Sequence, residues 1–188
     1  MGTTNPTVRE RLLETACDLF YREGISAVGV QRVIEEADAA KASLYAHFPS
    51  KDDLVAAYLA RMSERTRARF DADLAAAPND PRARIIALFE SLERWSRSPE
   101  FRGCPFGNAA SELAGRPAVC TAAIAEHRAW LHGELDRLAR ATGDPDPALL
   151  ARTLLLLMDG ATSAATVDHA EDAMQVARRA VERLLSPR

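Results

Sequence analysis

Lys41, Ser43, Tyr45, His47 and Lys51 all fall within one stretch, AKASLYAHFPSKDDL, residues 40–54. Each can donate a hydrogen bond to an anionic oxygen. Lys41 can also reach guanine edges, and Ser43 can bond a base or a phosphate. Between them stand two core-type residues, Leu44 and Phe48, four apart. On a helix that pair faces inward, and the polar side chains fall elsewhere around the axis. A helix so short buries little on its own account. Presenting side chains to a groove is the more economical purpose. Lys51 opens the following helix, where its charge opposes the helix dipole and an incoming phosphate would remove the conflict. A solvated helical corner would leave the same pattern, because helix-turn-helix geometry is common outside DNA-binding proteins.

A second set of residues could line a ligand pocket. Its aromatic members are Phe89, Trp95, Phe101, Phe106 and Trp130, and its polar members are Cys104, Asn108, His127 and Asp159. Ligand pockets are largely apolar with a few placed polar groups. His127 lies on an inner stripe between Ile124 and Leu131, and Asp159 interrupts an apolar run. A lone histidine or aspartate in such a place is more often a satisfied core group than a ligand contact. Cys104, His127 and Asp159 also have the residue types of a nucleophilic site, which would suit a small helical hydrolase or a ligand carrier. An inert buried thiol is the simpler reading of Cys104. The cysteines at 17, 104 and 120 have no zinc or redox spacing, so neither a metal nor a cofactor is expected.

The elements that must position these groups are all helical. Glycine is scarce, β-branched residues are few, and no run alternates over a strand's length. Thr7 with Glu10 reads as a capping box, and Gly24 ends the first helix. A second helix covers 29–37, a tight connection follows, and a third runs to about His47. Pro49 breaks it, and Ser50 with Asp53 starts a fourth that extends to about Ala77. Asp80 before Pro81 and Asp146 before Pro147 each start a helix. GRP at 115–117 is a break. Leu149 to Val167 is apolar nearly all round, which predicts burial on more than one side. Asp168 with Glu171 predicts the cap of the last helix. The total is about nine helices with no repeat.

The formal charge of the 188-residue chain is -3, so any anion-binding surface is local. The first 51 residues carry more Asp and Glu than Lys and Arg, which weighs against DNA binding. The N-terminus lacks the apolar core of a signal peptide, and the run Leu154–Met158 is too short to span a bilayer. A reduced, cytoplasmic setting away from membranes is expected.

LLETACDLFYREGISAVGVQRVIEEADAAKASLYAHFPSKDDLVAAYL resembles the N-terminal domain of tetracycline-repressor-type (TetR/AcrR) transcription regulators. The likeness lies in LF..EG before the second helix and K.SLY.HF.SKDDL across the third and fourth. FRGCPFGNAASE is similar to a segment of some family members. The resemblance implies an all-α fold, with residues 1–49 as a helix-turn-helix DNA-binding domain and 50–188 as a regulatory and dimerisation domain. It implies DNA contacts from Lys41, Ala42, Ser43, Tyr45, His47 and Lys51, with Gln31 touching backbone. It further implies a homodimer through roughly 147–185 on a palindromic double-stranded operator, acting as a repressor released by a small-molecule effector. Three positions depart from the family pattern. Asp38 replaces the usual turn glycine, and Ala40 and Gly29 replace the usual side-chain caps.

Overall fold

The computed structural model describes residues 6–115 and 118–186, with residues 118–120 as backbone only. The expected break at 116–117 and the Cys120 side chain lie outside the described residues. Nine helices and no strand are found among those described. They are α1 (Val8–Glu23), α2 (Val30–Glu36), α3 (Lys41–His47), α4 (Lys51–Ala76), α5 (Pro81–Ser96), α6 (Pro105–Glu112), α7 (Ala118–Ala141), α8 (Pro147–Val167) and α9 (Ala173–Leu184).

Local chemistry sets most boundaries. The Thr7 hydroxyl accepts from the Glu10 amide at 3.2 Å, and the Ser50 hydroxyl accepts from Asp53 at 3.1 Å. Asp80 and Asp146 accept from Ala83 and Leu149 at 2.8 and 3.0 Å, each just ahead of a proline at the first helical position. Gly24 closes α1 at φ 94°, a conformation that a side chain would strain. The last helix departs from expectation. Asp168 is the C-cap of α8, residues 168–172 make the turn, and α9 starts at Ala173.

The chain separates into two compact units. The first comprises residues 1–64 with 105–126. In it α1, α2 and α3 pack on one another around Leu12, Ala16, Val33 and Leu44, which are fully buried. Phe20 meets Tyr58 edge-on at 5.6 Å, joining α1 to α4. Arg61 of α4 binds Glu10 at 2.7 Å and also Glu14 of α1.

The second unit comprises 65–104 with 127–188. Its core gathers Phe70, Ile85, Leu88, Leu135, Leu154, Met174 and Val181 from α4, α5, α7, α8 and α9. Gly103 at φ 83° lies so close to α8 that an added Cβ would sit 2.6 Å from the Thr166 hydroxyl. The burial expected around α8 is only half met within one chain. Leu150, Ala151, Leu154 and Met158 are buried, whereas Leu149, Leu156 and Val167 are 61, 70 and 72 % exposed. By length and composition alone α8 could cross a membrane, but one face is core and Asp159 on it is ion-paired.

Candidate nucleic-acid interface

Leu44 is fully buried and Phe48 nearly so, and between them they anchor α3. Lys41, Ala42, Tyr45, Ala46 and His47 are exposed, and Ser43 is half-buried. Lys41, Ala42 and Tyr45 lie three and four apart, on one side of the helix. That side offers a cation, a methyl and a phenolic hydroxyl, the partner types for guanine, thymine and phosphate respectively.

The turn ahead of α3 is built from backbone. Asp38 takes φ 46°, the left-handed conformation that aspartate tolerates. Ala39 donates to Ile34 at 3.1 Å and Ala37 to Val33 at 3.0 Å. Neither Gly29 nor Ala40 makes a side-chain cap bond, as the departures from the family pattern imply. Arg11 ties the turn to α1, its guanidinium donating to the Ala37 and Asp38 carbonyls, both at 3.3 Å. Those carbonyls lie just past the C-terminal end of α2, where a cation is favourable. Arg9 packs its guanidinium 5.3 Å from the Phe48 ring centroid, beside the end of α3. Nothing in the spacing of either arginine sets it apart in the sequence from the other charges on α1.

Most acids of this region are engaged by neighbouring side chains. Glu10 and Glu14 bind Arg61, Glu23 and Glu36 bind Arg32, and Glu35 accepts from Gln31 at 2.9 Å. Residues 39–49 contain no acid. Two expected contact residues are therefore engaged elsewhere. Gln31 holds Glu35, and Lys51 donates to the Ile25 carbonyl at 2.6 Å while lying 5.9 Å from the Phe20 ring centroid.

The expected ligand residues divide between the units. Phe106, buried, and Asn108, exposed, belong to the first. In the second, Phe89 is buried in the core, and Trp95, Phe101 and Trp130 pack against it. Trp95 meets Phe101 edge-on at 4.8 Å, and His127 lies 5.5 Å from Trp130. Both carboxylate oxygens of Asp159 accept from Arg128 at 2.7 Å. Asp159 is thus held by Arg128 in a bidentate ion pair. A surface cleft of about 390 Å³ opens beside Thr142, Pro145, Leu149 and Leu185, and none of the expected ligand residues lines it.

His127 is 4 % exposed. Burial first, then the Arg67 and Arg128 guanidiniums, pushes its pKa down to about 4. The unfolded imidazole titrates near 6.5, so between about pH 6.5 and 4 the unfolded chain holds a proton that the native state refuses. Stability therefore falls as the pH drops through that window, by about 3 kcal/mol in total. His127→Gln is expected to remove that part of the acid limb in urea unfolding compared at pH 7 and pH 4.5. A variant whose pH profile runs parallel to the wild type would refute the assignment.

Two family models match this chain. One, described as bacterial regulatory proteins of the tetR family, matches residues 12–58. The other, the C-terminal domain of tetracyclin repressor-like proteins, matches 81–181. The chain belongs to the TetR family. A TetR-family transcriptional regulator from Streptomyces coelicolor has a similar structure, with a TM-score of 0.87 and 36 % identity over 95 % of this chain and 94 % of that one. The HTH-type transcriptional regulator LmrA of Bacillus subtilis is 35 % identical over 106 residues, 55 % of this chain and 56 % of the relative. The HTH-type transcriptional repressor KstR of Mycolicibacterium smegmatis is 35 % identical over 86 residues, 46 % of this chain and 42 % of the relative. The chain spans about half the length of the curated relatives it matches. The match is to a family of regulators, not to one of enzymes. The TetR N-terminal match contains α2, the turn and α3. The C-terminal match contains residues 105–126, which belong to the same compact unit as α3.

Proposed function

We propose that this TetR-family protein is a dimeric, DNA-binding transcriptional repressor of the cytoplasm that releases a palindromic operator when a small molecule binds. The observation that carries the reading is α3: Leu44 and Phe48 hold it from behind while Lys41, Tyr45 and His47 stand in solvent. Lys41, Ala42 and Ser43 would read base edges. Tyr45, His47, Gln31 and Lys51 would contact phosphates, with Gln31 exchanging Glu35 for the backbone. Repression is the role named for the KstR relative.

Functionally the chain divides at Pro49, with 1–49 reading DNA and 50–188 pairing and regulating. Pairing would use residues 147–185. The exposed Leu149, Leu156 and Val167 of α8, with Val176 and Leu184 of α9, give an apolar face that a symmetry mate would cover. The effector would be recognised within the second unit, from Phe89, Trp95, Phe101 and Trp130 with Cys104, His127 and Asp159. Helix α4 is the lever: its first turn carries Lys51, and its later turns supply Phe70 to the second core. An effector lowers DNA affinity only by its preference for the conformation that misplaces the two α3 helices.

The test is retention on DNA as a function of salt. Each phosphate neutralised contributes a slope of about -0.9 in log affinity against log salt. Tyr45→Phe is expected to weaken binding about 3- to 10-fold on every sequence, while Lys41→Ala changes which sequences are preferred. Retention that is indifferent to salt and to both changes would overturn the reading.

A further inference from the structure

The α1–α2 loop is tied to a helix that lies far away in sequence. The Glu112 carboxylate, at the end of α6, accepts from the Ile25 amide at 3.2 Å and the Ser26 amide at 2.7 Å. Neither amide donates within a helix, since α1 ends at Glu23 and α2 starts at Val30. The carboxylate lies so close that a Cβ on Gly24 would sit 3.3 Å from both of its oxygens. The loop is anchored on its other side by Ile25, 3 % exposed, and Val28, fully buried. The same Ile25 accepts from Lys51 through its carbonyl at 2.6 Å. One residue thus joins the end of α6 to the first turn of α4.

We propose that Glu112 is a positioning residue for DNA binding. Two charge-assisted bonds to the 25–26 amides fix the loop that leads into α2, and through the Ile25 carbonyl they fix the ammonium of Lys51. Residue 112 lies within the C-terminal family match, so part of the regulatory sequence completes the DNA-reading unit. This inference rests on the DNA-binding reading above.

Glu112→Gln keeps the size but offers one acceptor and one donor group, so one backbone amide faces an N–H. The probe is the duplex that the wild-type chain selects from random-sequence DNA. Affinity is expected to fall about tenfold, and the salt slope to become shallower by about 0.9 as the Lys51 contact is lost. A double variant with Lys51→Met is expected to bind no worse than Lys51→Met alone, which a merely structural role would not produce. Amide exchange supplies a measurement on the wild type itself: Ile25 and Ser26 are expected to be protected at least tenfold relative to exposed amides. A wild type that selects no DNA would refute the binding reading instead. Wild-type affinity and slope in Glu112→Gln, or additive losses in the double variant, would overturn the role of Glu112. Should Glu112→Gln not fold, unprotected Ile25 and Ser26 amides in the wild type would overturn it, and protected ones would support it.

Discussion

Replacing Leu156 by glutamate is expected to leave a folded monomer that has lost most of its affinity for DNA. Leu156 is 70 % exposed in the single chain, on a helix whose opposite side is core. Leu149, Leu156 and Val167 are separated by seven and eleven residues, so they recur on one side of α8. Val176 and Leu184 extend the exposed apolar surface onto α9. Apolar surface is worth about 25 cal/mol per Å² when removed from water, which would drive the proposed second copy to cover this face. In the proposed dimer, two-fold symmetry would make one substitution appear twice and desolvate two carboxylates at one interface. The dimer dissociation constant is expected to rise at least about 100-fold. Each half-site is then bound alone, and the gain from linked binding, on the order of 100-fold or more, disappears. Sedimentation and DNA retention measure both effects, and circular dichroism checks the fold. A variant that remains dimeric would place the interface elsewhere.

Leu44→Ala is expected to destabilise the DNA-reading unit by about 4 kcal/mol and to abolish specific binding. Leu44 is fully buried, and α3 has only seven residues. Isolated helices of that length are not stable in water, so tertiary anchoring holds this one. With Leu44 truncated, Phe48 is the remaining large anchor, and the cavity opens beneath the surface proposed to meet the duplex. Urea unfolding followed at Tyr45 and Tyr58 measures the loss. The expected result is an early transition that the wild type lacks. Wild-type stability would mean that α3 is held by something other than its two apolar side chains.

Much of this architecture could be read from the sequence because its punctuation is local. Thr7, Ser50, Asp80 and Asp146 act within three residues of themselves, and each caps a helix as expected. The pair Leu44 and Phe48 likewise identifies the buried side of α3. Asp168 and Glu171 misled for a physical reason. The capping pattern does not reveal that α8 runs through Val167, which leaves residues 168–172 to make the turn. The open face of α8 was hidden because a helix apolar all round has no polar side to mark it. Arg11, Arg32 and Glu112 act across 26, 9 and 86 or 87 positions of sequence respectively, beyond the reach of any periodicity. Counting charges shows an acidic segment, whereas the geometry pairs Glu10 and Glu14 with Arg61 of α4, and Glu23 and Glu36 with Arg32 of α2.

The most direct measurement is selection of duplexes from random-sequence DNA by the full chain and by its Lys41→Ala variant. The wild type is expected to enrich a palindrome whose half-sites are spaced by about one helical turn or a multiple of it. The variant is expected to enrich a different or relaxed half-site at the same spacing. No enrichment by the wild type, or an identical motif from both proteins, would contradict the assignment of α3 as the element that reads DNA.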